Sequence, residues 1–165
     1  SKRGLFLAPQ SPPEIAGVRF GSFLRSAMNA HRETPMGVEE FYATVRPLMS
    51  DLDLEPSFTQ RNLLEGFSGG ERKRAEWLQV ELLRPSYVML DEPDSGLDID
   101  ATKHLAQNIL RLSQEQKIGW LIITHQPSLL ETLPIDRVFI FEDGRMARSG
   151  GRNVILDIRQ FGFKT

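Results

Sequence analysis

Tyr87-Val88-Met89-Leu90-Asp91-Glu92-Pro93 is an apolar run that ends abruptly in two adjacent carboxylates. Its four leading apolar residues read as a strand buried on both faces, the kind found inside parallel sheets. Open α/β sheets place their ligands at the carboxyl ends of strands, which is where Asp91 and Glu92 fall. Neighbouring residues of a strand point to opposite sides, so this pair can divide two roles, one holding a metal ion and the other orienting a water. Asp and Pro also close strands in plain solvated turns. The flanking sequence has to decide between these readings.

Immediately upstream, Gly66-Phe67-Ser68-Gly69-Gly70-Glu71-Arg72-Lys73-Arg74 opens a helix in which Ala75, Leu78 and Leu82 share a face and which Pro85 stops. Ser68 and Glu71 have the spacing of a capping box. A cap alone does not account for Gly69 and Gly70, because each glycine costs about 1 kcal/mol of helix stability relative to alanine. Two glycines at a helix start let an anion approach bare amides and the positive end of the helix dipole. Arg72, Lys73 and Arg74 add positive potential there. Downstream, Asp94-Ser95-Gly96-Leu97-Asp98 is a tight turn into a helix with Leu105, Ile109 and Leu112 facing inward. Trp120-Leu121-Ile122-Ile123-Thr124 reads as a second buried strand, and it ends at His125, whose imidazole could hydrogen-bond a phosphate or a water. A short helix over Pro127 to Leu133 follows, then a strand over Val138 to Phe141. Glu142-Asp143-Gly144-Arg145 forms a hairpin turn of the Asp-Gly type, and Met146 to Ser149 is its return strand. Asn153 to Gln160 closes the chain as a helix, with an aromatic tail at Phe161-Gly162-Phe163.

At the other end, Gly4 to Ala8 is a strand that stops at Pro9-Gln10, so Gln10 also lies at a strand's carboxyl end. A buried strand with no lead-in is expected where a chain starts inside a larger fold. Ser11-Pro12-Pro13 continues neither strand nor helix. Phe20, Phe23, Leu24, Ala27 and Met28 make one stripe of an amphipathic helix, and Val38, Phe41, Tyr42 and Val45 repeat it. Pro47 is expected to kink or end that second helix near Arg46.

The totals exclude several classes. The 165 residues suffice for one domain, or for a core with a small subdomain. A net charge of -2 gives bulk electrostatics no reason to favour nucleic acid or a membrane surface. There is no cysteine, which rules out disulfides and thiolate chemistry, and His31, His104 and His125 are scattered. No apolar run approaches the roughly 20 residues of a membrane span, so no membrane insertion and a cytoplasmic location are expected.

The order of these features resembles the nucleotide-binding domain of ATP-binding cassette (ABC) proteins. Phe67 to Glu71 is similar to the family's signature motif, Tyr87 to Glu92 to its Walker B strand with the catalytic glutamate, Ser95 to Asp98 to its D-loop, Gln10 to its Q-loop glutamine and His125 to its switch histidine. Within the family, Phe6 to Val18, Gly66 to Arg74 and Asp94 to Asp100 resemble the SufC group, the ATPases of SUF iron-sulfur cluster assembly. Glu71, Lys73 and Arg74 follow the SufC-like form of the signature, where importers and exporters commonly have Gln and then Arg-Gln-Arg. Pro93 departs from the Ser or Thr of many bacterial SufC proteins.

The resemblance implies an α/β fold, a partial P-loop NTPase (RecA-like) parallel-sheet core with an inserted α-helical subdomain. Residues 1–10 would be the core strand and Q-loop, 11–84 the helical subdomain with the signature, and 85–165 the C-terminal part of the ATPase core. It further implies ATP and Mg2+ as ligands. Asp91 and Gln10 would serve the metal, Glu92 and His125 catalysis, and Ser68, Gly69, Gly70, Glu71 and Asp98 nucleotide binding across an ATP-dependent head-to-tail homodimer. Partners would be SufB- and SufD-like scaffold proteins, docking on the segment from Gln10 to about Leu54. A transporter's nucleotide-binding subunit, or a non-catalytic interaction fragment, are the alternatives. The Walker A pattern Gly-x-x-x-x-Gly-Lys-Ser/Thr and any Gly-Lys pair are absent from these residues. The chain thus resembles the C-terminal part of a cassette domain; by itself it is expected to be inactive on ATP, to expose sheet surface and to self-associate.

Overall fold

Apolar strands separated by long amphipathic segments cannot pair as hairpins, and the chain resolves this with parallel pairing. The computed structural model describes residues 4–162. The elements are β1 (Leu5–Ala8), β2 (Ile15–Arg19), α1 (Phe20–Asn29), α2 (Val38–Asp51), a 3-10 turn (Pro56–Gln60), β3 (Asn62–Leu63), α3 (Gly69–Leu83), β4 (Tyr87–Asp91), α4 (Ile99–Gln116), β5 (Gly119–Ile123), α5 (Pro127–Thr132), β6 (Val138–Glu142), β7 (Arg145–Gly150) and α6 (Asn153–Phe161). They fall into two units: residues 4–93 with 116–123, and residues 94–115 with 124–162.

The first unit is built on a parallel three-stranded sheet of order β1-β4-β5. Its register sets Leu5 beside Tyr87 and Ala8 beside Leu90, then Tyr87 beside Gly119 and Asp91 beside Ile123. One face carries Ala8, Val88 and Leu90, all buried. Trp120, in register with Val88, meets Trp77 of α3 there with ring centroids 6.0 Å apart. Gly119 admits the Tyr87 ring against its backbone: a Cβ built on Gly119 would come within 2.7 Å of Tyr87 Cδ1.

The helices of this unit surround α3, against which α1 and α2 both pack. Phe20 and Leu24 of α1, and Phe41, Val45 and Met49 of α2, are buried, as their helical spacing predicts. Phe20 and Phe58 each meet the Phe67 ring at a steep angle, with centroids 5.9 Å and 5.0 Å away. A two-stranded antiparallel ribbon of β2 and β3 completes the unit.

Three sequence expectations fail here. First, β4 and β5 are not buried on both faces. Leu5, Leu7 (59% exposed), Tyr87 (62%), Leu121 and Ile123 (55%) form an apolar, exposed second face. The apolar run encodes a two-sided strand, but cover exists on one side only. Second, α2 does not end near Arg46 but continues through Pro47 to Asp51. Pro47 and Ala43, whose carbonyl loses its partner, both lie on the exposed side, where water can satisfy that oxygen, while Val45 and Met49 hold the helix from the other. Third, α3 has no single apolar face, since Ala75, Glu76, Trp77 and Leu78 are all buried in succession and Leu82 is only half-buried.

The second unit contains α4, whose Leu105, Ala106, Ile109 and Leu112 are buried at helical spacing. The β6-β7 hairpin turns at Asp143 (φ 47°) and Gly144 (φ 75°), the left-handed pair an Asp-Gly hairpin requires. Ile140 of β6 packs with Val154 and Ile158 of α6, and α6 also packs on α5. Ion pairs join Arg148 to Asp157, and Arg159 to Glu131 at 3.2 Å. The tail read at Phe161-Gly162-Phe163 extends past the described residues.

Parallel sheets are found with both faces covered, so the bare face of β1, β4 and β5 should drive association. Sedimentation equilibrium is expected to show mass rising with concentration, and Leu7→Lys to suppress that rise. A monodisperse monomer would show that the exposed face does not associate.

Candidate functional site

Because β1, β4 and β5 are parallel and in register, their carboxyl ends share one rim. Asp91, the last residue of β4, is half-buried and paired with Ile123 at the end of β5. Gln10 follows β1 by two residues, and its Nε2 donates a hydrogen bond to Glu92 Oε2 across 82 residues of chain. Glu92 is not part of the strand, so its direction does not follow from strand alternation as the sequence reading supposed. Its backbone is left-handed, φ 46°, and its amide donates to the Ile123 carbonyl at 2.8 Å. A non-glycine residue in that region costs on the order of 1 kcal/mol or more, and such strain is commonly kept where a side chain must be aimed.

A second cluster forms at the start of α3. Ser68 is the N-cap: Glu71 N donates to Ser68 Oγ at 3.3 Å, and Ser68 N donates to Glu71 Oε2 at 2.6 Å. The Glu71 carboxyl is held below its ordinary value, first by the Ser68 amide and, against an opposing desolvation, also by the Ser68 side chain and the charges of Arg61 and Arg74. Gly69 and Gly70 have ordinary helical backbone, and a Cβ built on either meets nothing within 4 Å. Neither crowding nor conformation demands glycine there; the glycines leave open space beside amides that precede the first intrahelical bond. The basic residues are only half-exposed and largely engaged locally. Arg72 Nε donates to the Phe67 carbonyl at 3.0 Å and its guanidinium pairs with Glu14, while Lys73 lies 3.4 Å from Glu76.

Asp98 and His125 belong to the second unit. Asp98 caps α4, accepting the Ala101 amide on Oδ1 at 2.8 Å. His125 is exposed, between two residues that are tied down. Thr124 Oγ1 donates to the carboxylate of Asp94, at 2.7 Å from Oδ2, and accepts the Gln126 amide at 2.9 Å. Asp94 is fully buried. Sequence reading took Asp94 for a turn residue and passed over Thr124; a carboxylate between a proline and a serine gives no sign that it will be enclosed. Arg61, which contacts the α3 cluster, was missed in the same way.

No family profile matches the chain. It is 42% identical over 165 residues to "Vegetative protein 296" of Bacillus subtilis (strain 168), covering 99% of this chain and 63% of that protein. It is 40% identical over 167 residues to "Probable ATP-dependent transporter ycf16" of Cyanophora paradoxa, covering 99% and 64%. Among solved structures, an ATP-binding subunit of an ABC transporter aligns with a TM-score of 0.73 and 25% identity over 98% of this chain and 64% of its own. A dimeric ATP-binding cassette bound to ADP and Pi aligns with a TM-score of 0.76 over 91% and 63%, at 17% identity, a likeness of fold. The chain is thus similar to the ATP-binding domains of ABC proteins, and its mixed α/β core has their fold. It spans 63% and 64% of the length of the two relatives named.

Ser68→Ala should destabilise the first unit by about 1 kcal/mol, the usual worth of such a cap, as measured by urea unfolding. Because the folded Glu71 carboxyl titrates below its ordinary value of 4.5, the stabilisation is present above that pH and is lost as pH falls through the lower folded value. The melting-temperature difference between the wild type and Glu71→Gln should accordingly shrink as the pH is taken down through 4.5.

Proposed function

We propose that this chain is the larger part of an ATP-binding and hydrolysing subunit of a SUF-type iron-sulfur cluster assembly complex. The observation that carries the hydrolytic reading is the hydrogen bond from Gln10 to Glu92, which joins the Q-loop-like and Walker-B-like segments at the carboxyl rim of the sheet. The SufC-like form of Phe6 to Val18, Gly66 to Arg74 and Asp94 to Asp100 supports the SUF assignment.

The residues suit a magnesium nucleotide. Among the described residues no group of three or more His, Asp or Glu side chains could cage a metal. Mg2+ keeps waters and relies on one or two carboxylates together with substrate phosphates, a part that Asp91 at the end of β4 can fill. When bound, the ion would neutralise charge developing on the phosphates. Asp91 would hold it through water and Gln10 would complete its shell. Glu92 would orient the attacking water, and His125 would contact the γ-phosphate. The open amides of Gly69 and Gly70, with the Ser68 hydroxyl, would receive the γ-phosphate of a nucleotide carried by a second subunit, with Glu71 supporting that loop and Asp98 reaching across a head-to-tail homodimer. The dimeric cassette of similar fold supports that arrangement. SufB- and SufD-like scaffolds would dock on the segment from Gln10 to about Leu54. The Gly-Lys phosphate loop would have to come from sequence outside these residues, so this chain alone should not turn over ATP.

The transporter reading rests on the name of the Cyanophora relative. Among the described residues no helix is long and apolar enough to cross a membrane, which suits either reading. Copurification separates them: SUF-like scaffold proteins support the first, and a membrane permease overturns it. In a full-length version, Glu92→Gln should abolish ATP turnover while leaving ATP binding intact. Unchanged turnover would remove Glu92 from catalysis.

A further inference from the structure

Arg61 follows the 3-10 turn, outside every motif in the chain, yet it touches most of the loop that opens α3. Its guanidinium carbon lies over the rings of Phe58 and Phe67, 4.5 Å from each centroid, and because those centroids are 5.0 Å apart the cation sits in the angle between two adjoining rings. The edges of the same plane are used as well. Nη2 donates to the Gly66 carbonyl at 2.8 Å, and Nη1 lies 3.6 Å from Glu71 Oε1. The backbone of Arg61 is itself fixed, with its amide donating to Phe58 O at 3.2 Å and its carbonyl accepting from Phe20 N at 2.9 Å.

These contacts define one geometry for the loop. Gly66 is left-handed, φ 65°, and its carbonyl is anchored by the guanidinium. The Phe67 ring is held by the cation over it and by its edge-type contacts with Phe20 and Phe58. The two oxygens of Glu71 are divided, Oε1 toward Arg61 and Oε2 on the Ser68 amide, so the guanidinium also sets the carboxylate's rotation and, through it, the cap. A planar guanidinium can lie over the rings while its two prongs reach Gly66 O and Glu71 Oε1; lysine keeps the charge and loses that fork.

We propose that Arg61 is a positioning residue for Ser68-Gly69-Gly70, holding the loop in a phosphate-ready conformation through Gly66, Phe67 and Glu71 without touching the anion. This rests on the phosphate-binding role given to those residues above. A site fixed in advance does not spend binding energy on ordering itself, so loosening the loop lowers affinity without removing any group that contacts the ligand.

The test uses the 165-residue chain, labelled with 15N, and inorganic triphosphate as the probe. In the wild type, triphosphate should shift the Gly69 and Gly70 amide resonances. Arg61→Lys should weaken that response about tenfold, equivalent to about 1.4 kcal/mol, and raise amide exchange about tenfold at residues 67–72 while α1 and α2 keep their protection. Ser68→Ala, which leaves the arginine's contacts in place, should weaken triphosphate binding but leave Gly66 and Phe67 resonances where they are. Unchanged exchange and affinity in Arg61→Lys overturn the proposal, and so does a uniform rise in exchange across α1, α2 and α3, which would make Arg61 a general stabiliser. A wild type that ignores triphosphate, together with local loosening in Arg61→Lys, supports the positioning of the loop and overturns the phosphate reading.

Discussion

Parallel pairing of β1 with β4 and of β4 with β5 governs most of what the first unit can do. Parallel strands run the same way, so their carboxyl ends meet at one rim, and polar residues placed just past apolar runs converge however far apart they are in sequence. Gln10 and Glu92 are joined in this way, and Asp91 takes its place beside Ile123. The same pairing requires long crossovers, and the segment between β1 and β4 is long enough to hold α1, α2 and α3. The sheet therefore fixes both the rim and the room for a helical layer.

α3 connects these two demands. Its first turn carries the Ser68-Gly69-Gly70 loop, its middle sets Trp77 against Trp120 of the sheet, and its sides receive α1 and α2. Burial of four consecutive residues, Ala75 to Leu78, follows from having neighbours on several sides. It includes Glu76, whose carboxyl burial pushes up while the Lys73 ammonium opposes that shift. A helix so enclosed is a rigid mount for the loop at its start.

Much of this was legible in the residues, for reasons that differ from element to element. The strands of the sheet announced themselves as apolar runs, α1, α2 and α4 as helical stripes, and the β6-β7 turn as Asp-Gly. The capping box at Ser68 and Glu71 was readable because it depends on spacing within one turn. What stayed hidden depends on partners distant in sequence. The apolar pattern of β4 does not reveal that only one of its faces is covered. Asp94 is enclosed with the Thr124 hydroxyl on its carboxylate, and Arg61 lies over the adjoining rings of Phe58 and Phe67. Both are polar residues in turn-like sequence, and only the fold shows what they touch. The ribbon of β2 and β3 escaped for a related reason: β3 is two residues long and β2 is exposed throughout.

The left-handed backbone at Glu92 sets conformational ease against chemistry at one position. Glycine populates that region freely, whereas a carboxylate-bearing residue is held there against its preference. A library of variants sorted on heat resistance alone would therefore enrich Glu92→Gly, relaxing the backbone while discarding the acidic group that Gln10 reaches. Robustness and reactivity pull in opposite directions at this residue, and an engineer hardening the scaffold would do well to keep it out of the randomised set.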